Sequence, residues 1–203
     1  MICRLFLRTR HSKLSLLTIG IVSIIVLFTT SLSVAVNPFS DFTINIALIL
    51  PIIPSLLIVV ACYSPSIRQE RTSARPLWPL LLAIIVAQSL IGTVILSASM
   101  FAGSWAFLDG VDAWTLSSAV GRNFLALVGC GFVSGFILGP RLSWVGPLGW
   151  LLIPPYVFPQ PSDDASFFWS LIQQPGDCIQ SHVLGAATWL IGLILFISPV
   201  RRH

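Results

Sequence analysis

The stretch 77–98, LWPLLLAIIVAQSLIGTVILSA, contains 22 residues and no charged side chain. A helix needs about 20 mainly apolar residues to cross a bilayer, so this stretch is long enough to span one. Charged residues make up only 9% of the chain, whereas a soluble domain has about 25%. The sequence therefore predicts a membrane protein whose helices pack against one another within lipid.

Similar apolar runs lie on both sides of this stretch. Together they predict an all-α, polytopic membrane protein with about six transmembrane helices in a single domain, 1–203. The first run also resembles a signal peptide, but it is longer than the roughly 7–15 residues of a signal-peptide core, so we expect it to be retained. The expected spans are 14–36, 43–62, 77–98, 118–139, 142–158 and 182–200.

Basic and acidic residues alternate between the segments that connect these spans. Every basic residue except Arg122 lies in the N-terminus, the 63–76 segment, the turn after span four or the C-terminus, and all six Asp lie in the other connections. Lys and Arg mark the cytoplasmic side, so both termini and the 63–76 segment are expected in the cytoplasm. The positive net charge then reports topology, and nucleic acid is not an expected partner. The segments expected outside the plasma membrane are 37–42, 99–117 and 159–181.

Two segments outside the spans have their own character. Residues 1–13 are basic and can form an amphipathic turn on the inner leaflet, although a disordered basic start fits the same residues. The 159–181 segment has an apolar, aromatic middle, SFFWSLI, bounded by prolines. We interpret it as a short outer helix that folds back at the membrane surface.

Two polar residues within the spans are candidates for a substrate path or an outer ion pair. Arg122 lies near the outer end of span four, where a charge is costly unless it snorkels or pairs. Three roles are open for the Arg122 side chain: snorkelling to the headgroups, pairing with an outer acid such as Asp109 or Asp112, and contact with substrate. Gln88, in span three, is expected to hydrogen-bond across helices.

Small residues recur at four-residue spacing in spans three and four. Such stripes let helices approach closely. The spacing does not say whether the partner helix lies in the same chain or in a second copy. The stripes are Ser89, Thr93 and Ser97 in span three, and Gly131, Gly135 and Gly139 in span four.

Motifs of several enzyme classes are absent from the sequence. It contains no GxxxxGK[ST], HExxH or GxSxG, its three histidines are far apart, and its four cysteines form no CxxC. We therefore expect no catalytic activity, no metal site and no cofactor in this chain. Any ATP hydrolysis would belong to a partner.

Three stretches resemble a known family: QERTSARPL at 69–77, GRNFLALVGCGFVSGFILGPRLSWVGPL at 121–148, and WSLIQQPGD at 169–177. With the layout of the spans, they resemble the membrane subunit of an ABC-2-type exporter, and are similar to small actinobacterial membrane proteins associated with ABC ATPases. The chain is short for that class.

The resemblance implies a permease that works with a separate ATP-binding subunit and with a second permease copy or a paralogue. The substrates that the resemblance implies are peptides, lipids and drug-like molecules. The lipids of the membrane itself are a further expected partner. In such permeases the loop between spans two and three contacts the ATPase. Carried onto this sequence, the contact residues are Ser66, Arg68, Gln69, Glu70, Arg71 and Arg75.

Two other classes of function fit the same composition. A six-span substrate-binding subunit, as in vitamin uptake systems, fits the size of the chain. A structural or immunity-type membrane protein has no transport cycle of its own. An intramembrane enzyme ranks last because no convergent catalytic groups are evident.

Overall fold

The computed structural model describes residues 12–35, 43–63, 78–108, 112–157 and 176–198. The 1–13 start falls almost entirely outside these residues, as do the six expected ATPase-contact residues and most of the 159–181 segment. The described part is helical except for a short antiparallel pair of strands, β1 (Ser33–Ala35) and β2 (Thr43–Asn45). Its α-helices are α1 (Ser12–Thr29), α2 (Ile52–Cys62), α3 (Trp78–Phe107), α4 (Ala113–Ile137), α5 (Val145–Val157) and α6 (Ile179–Ile197).

Among the described helices, α3, α4 and α6 are long and apolar enough to cross a membrane. This confirms the membrane character of the chain, while the count of six spans and the orientation of the termini stay predictions. Helix α2 has 11 residues, which is about 16 Å and half of a bilayer core. A 3-10 turn at Ile46–Leu48 precedes it, and Pro51 stands directly before its first residue.

Much of the expected outer segment 99–117 is helical, and its position relative to the membrane stays a prediction. Helix α3 continues to Phe107 and α4 begins at Ala113, so the connection is only 108–112. The sequence SASMFAGSWAF contains no proline and only one glycine, Gly103, so nothing in it stops the helix. The expected first span is also shorter than 14–36, because α1 ends at Thr29 and a turn leads into β1.

Successive helices run in opposite directions. Helices α2, α4 and α6 are parallel to one another, and α1 and α3 run the other way, as does α5. Gln88 contacts Ser15 in the first half of both α3 and α1, while Gly103 approaches Thr30 at their far ends. The described charges follow the same division, with Arg141 exposed at one end and Asp112 and Asp177 exposed at the other.

We call these the Arg141 end and the Asp112 end of the bundle. The Arg141 end holds residues 12, 63, 78 and 198, and the Asp112 end holds residues 30, 46, 107 and 178. Exposed tryptophans lie at both ends, as membrane interfaces favour. They are Trp105 and Trp114 at the Asp112 end and Trp144 at the Arg141 end.

Helix α4 lies at the centre and packs against α2, α3, α5 and α6. Phe124 and Phe132 of α4 are fully buried and pack with apolar side chains of the surrounding helices. The outer faces of α1, α3 and α6 expose many large apolar side chains, as expected where lipid replaces water. Among the described long apolar helices, the central helix is therefore the one most shielded by its neighbours, and it carries the buried Arg122 and Asn123.

Candidate functional site

Arg122 lies on α4 with its side chain turned into the bundle. Only 4% of the residue is exposed, so snorkelling to the headgroups, one of the alternatives for this residue, is wrong. It lies about 15 Å along the helix axis from Asp112, which is exposed before the first turn of α4. Asp109, the other acid considered as a partner, lies outside the described residues.

The guanidinium of Arg122 is held by its neighbour and by α6. Nε and Nη2 both donate to Asn123 Oδ1, at 3.2 and 3.1 Å, and Nη1 donates to Ser181 Oγ in α6. Ser181 Oγ in turn donates to the Cys178 carbonyl at 2.7 Å. Asn123 Nδ2 donates to the Leu48 carbonyl at 3.4 Å, so the arginine is connected to three parts of the bundle.

The acceptors named above are neutral oxygens, and they bind a side chain that remains charged in proteins. The Nε and Nη2 edge, which commonly meets both oxygens of a carboxylate or phosphate, here converges on one amide oxygen. An ionisable group within a membrane helix is costly and marks a functional position more often than a packing one. We therefore take Arg122, Asn123 and Ser181 as the candidate site.

Space for the arginine is made by a glycine on α6. A Cβ added to Gly185 would lie 2.9 Å from Arg122 Cγ and 3.4 Å from its carbonyl oxygen. One of these contacts is with the backbone of α4 and has little room to move. The aliphatic part of Arg122 therefore packs directly on the α6 backbone.

The hydrogen bonds of the site continue across the Asp112 end. Asn45 Nδ2 donates to the Thr30 carbonyl at 2.6 Å, and Asn45 Oδ1 accepts from the Ala47 amide at 2.9 Å. The turn that contains Ala47 also supplies the Leu48 carbonyl to Asn123. We call this chain of groups, from the end of α1 to the start of α6, the polar belt; its members are Thr30, Asn45, Arg122, Asn123 and Ser181.

Gln88 does not join this belt. It is buried, with 6% of the residue exposed, and its Nε2 donates to Ser15 Oγ at 2.9 Å. That bond links α3 to α1, in agreement with the expected bond across helices. The structure therefore puts the two polar candidates on different helix contacts, Gln88 between α1 and α3 and Arg122 between α4 and α6.

The glycines of span four have two different roles. A Cβ on Gly131 would overlap Val59, and one on Gly135 would overlap the ring of Tyr63, so both face α2 of the same chain. Gly139 lies beyond the end of α4 with φ of 98° and has open space around its Cβ position. Its left-handed backbone suits glycine and ends the helix.

A closer approach between α4 and α6 was not predicted from the sequence. Gly129 and Gly192 lie against each other's helix backbone, and Gly192 is seven residues after Gly185. The seven-residue spacing of Gly185 and Gly192 was the feature of the sequence that could have predicted this contact. In span three, Thr93 and Ser97 lie against Gly121, so the small-residue stripe there also meets α4.

The segment expected to contact an ATPase is bracketed by described residues at the Arg141 end. Tyr63 precedes it, and Tyr63 Oη donates to the Phe132 carbonyl at 3.2 Å. The Tyr63 ring packs edge-on against Phe196 of α6, with centroids 5.4 Å apart. Trp78 follows the segment and begins α3.

No group of three or more potential metal ligands occurs among the described residues. A scan of protein-family models found no match for the chain, and searches of curated proteins and of solved structures found none either.

Proposed function

We propose that this chain is the permease subunit of an ABC-2-type exporter in a bacterial plasma membrane. It would move a peptide, a lipid or a drug-like molecule, with a separate ATP-binding subunit supplying the energy. The proposal is supported by the three stretches that resemble such permeases and by the long apolar helices. The chain itself would contribute the transmembrane path and no catalysis.

The alternating helix directions are the observation that carries this proposal. They bring Tyr63 and Trp78, which flank the charged 64–77 segment, to the end where Arg141 is exposed. The exposed acids Asp112 and Asp177 lie at the opposite end. Because basic residues favour the cytoplasmic side, the charged segment is suited to meet a cytoplasmic ATPase.

A route for mechanical coupling follows from the contacts of α2. This helix ends at Cys62, just before Tyr63 and the charged segment in the sequence. It packs along α4 at Gly131, and Tyr63 packs at Gly135. Tyr63, its last described neighbour, also contacts Phe132 of α4 and Phe196 of α6. A displacement of the segment would therefore be passed to α2 and on to the central helix.

Purification of the tagged chain from membranes of its own host tests the proposal. We expect an ATP-binding subunit to co-purify in mild detergent, and its ATPase activity to depend on the presence of this chain. The combined change Arg68→Ala, Glu70→Ala and Arg71→Ala should release that subunit. Arg141→Ala, which removes an exposed charge at the same end, is the matched control and should retain it.

Two results would overturn the proposal. One is the absence of any ATP-binding subunit from the purified native complex. The other is a triple variant that keeps both the partner and the transport rate of the Arg141→Ala control.

A second candidate is a substrate-binding or immunity-type membrane protein without its own transport cycle. The buried Arg122 favours a binding role, since an ionisable residue within a membrane helix commonly marks a functional position. Native mass spectrometry should then show a tightly bound small molecule in the absence of any ATPase. An immunity protein would instead protect cells against a peptide with no ATPase present.

A further inference from the structure

We propose that an aromatic collar at the Asp112 end binds the headgroup layer of the bilayer and fixes the depth of α3 in the membrane. The partner of this surface is a layer of zwitterionic phospholipid. The inference requires a membrane-embedded bundle and does not depend on an ATPase partner. The collar consists of exposed side chains of α1, α3 and α4, which are Phe28, Phe101, Trp105, Phe107 and Trp114.

Helix α3 is longer than the hydrocarbon core of a bilayer. Its 30 residues, Trp78–Phe107, rise about 45 Å, whereas the core is about 30 Å thick and the bilayer with both headgroup layers is about 40–45 Å. To fit within the core alone the helix would have to tilt by about 48°, which exceeds the range of about 0–40° seen for transmembrane helices. Each end of α3 therefore lies in a headgroup layer.

The exposed face of α3 changes its chemistry where the hydrocarbon core should end. A core centred on this helix covers about 20 residues and ends near Ala102. Every exposed residue from Pro79 to Ala98 is aliphatic. The large exposed side chains that follow are Phe101, Trp105 and Phe107. Because aromatic residues collect at the boundary between core and headgroups, composition and helix length indicate the same boundary.

Two neighbouring helices add aromatic rings at the same end. Phe28, near the end of α1, lies beside Phe107 of α3, with ring centroids 6.3 Å apart. Trp114, in the first turn of α4, is 76% exposed. A band of rings shared by three helices suits a lipid layer, which surrounds the bundle, better than a single partner helix, which would cover one face.

The charges at this end indicate which lipid suits the collar. Asp112 and Asp177 are exposed there, and no exposed Lys or Arg occurs at that end among the residues that the structure describes. Anionic lipid is attracted by basic clusters, so acidic residues do not favour it. An indole N–H can donate to a lipid oxygen, and an indole face attracts a quaternary ammonium group. Zwitterionic phospholipid supplies both of these groups.

Fluorine NMR of the full chain, labelled with fluorotryptophan and placed in phosphatidylcholine nanodiscs, tests the collar. Trp105→Phe and Trp114→Phe serve only to assign the two resonances, and the readout is made on the unaltered chain. A nitroxide on the lipid headgroup should broaden both resonances at least about threefold more than a nitroxide at the end of the acyl chain, because these positions are about 15 Å apart in depth.

Trp150 is the control within the same sample. It is 5% exposed and packs with Ala126, near the middle of α4, so its resonance should show no preference for the headgroup nitroxide. Exchange of part of the phosphatidylcholine for phosphatidylglycerol should leave the ratio for Trp105 and Trp114 unchanged. A preference that appears only with phosphatidylglycerol would contradict the choice of zwitterionic lipid.

Three other results would overturn the proposal. Equal broadening by the two nitroxides, or stronger broadening by the one at the chain end, would put the collar within the core. Broadening by a water-soluble gadolinium chelate alone would put it in water. Protection from all three agents would show that a second copy or another protein covers the rings. None of these measurements involves transport, so a failed collar and a failed exporter assignment are distinguishable.

Discussion

Gly129 of α4 and Gly192 of α6 lie in backbone contact at the crossing of the two helices. A Cβ on Gly192 would be 2.5 Å from the Gly129 carbonyl oxygen and 2.9 Å from its Cα. A methyl group cannot fit between these backbones unless the helices separate. This contact sets how closely α6 approaches the central helix, and hence whether Ser181 reaches Arg122.

Gly129→Ala should destabilise the folded protein by about 1–3 kcal/mol, the usual cost of overpacking a well-packed contact. Gly20→Ala is the matched control, because nothing lies within 4 Å of its Cβ position in α1. It should leave stability unchanged or raise it by less than about 1 kcal/mol through helix propensity. Unfolding midpoints in mixed detergent and SDS would compare the two, and equal midpoints would contradict the close crossing.

Gly131→Ala should be rescued in part by Val59→Ala. The added methyl would overlap the branched side chain of Val59 on α2, and shortening that side chain restores the space. The double variant should therefore lose less stability than the two single variants summed, with a coupling of about 1 kcal/mol. The same detergent unfolding measures all three, and simple additivity would show that Gly131 does not pack on α2.

Ser15→Ala should lower stability by about 0.6 kcal/mol, the average for a hydrogen bond between membrane helices. Its hydroxyl accepts from Gln88 Nε2 across the α1–α3 contact. Thr18→Val in the same helix is the control, since the Thr18 hydroxyl donates to the Leu14 carbonyl of α1 itself. If Thr18→Val costs as much as Ser15→Ala, the bond across helices contributes nothing measurable.

Arg141→Cys and Asp112→Cys should label from opposite sides of the membrane. Both residues are exposed at the two ends of the bundle, and basic residues favour the cytoplasm. In whole cells a membrane-impermeant maleimide should modify Asp112→Cys and should reach Arg141→Cys only after the cells are permeabilised. Peptide-level detection separates these sites from native Cys178, and the reverse pattern would invert the expected orientation.

The uncharged runs predicted both the membrane character and the helical class. A lipid core tolerates few charges, and it requires the backbone hydrogen bonds to be made within each segment, as in a helix. The ends of the helices were predicted less well from the sequence. The α3 helix continues past the expected boundary through a stretch with one glycine and no proline, since local sequence offered nothing to stop it. The α1 helix ends early, where Asn45 bonds the Thr30 carbonyl from a turn 15 residues later.

The roles of the small residues were readable only in part. Gly131, Gly135 and Gly139 share one spacing, yet two of them meet α2 and the third ends the helix with a positive φ. Gly129 and Gly192, which make the closest crossing, lie outside that pattern. Identical residues at identical spacing differ because the shape of the neighbouring helix decides what each one meets.

The sequence by itself determines that this protein is made of apolar helices, because hydropathy reports which segments suit lipid. It also determines that the connecting segments alternate in charge. The inward position of Arg122, the polar belt and the line of small residues on α6 were decided by the tertiary structure. In lipid both the outside of a helix and its packed face are apolar, so hydropathy cannot tell which side a side chain takes. That choice is made by the partners within reach, here Asn123 beside the arginine and Ser181 on the helix across from it.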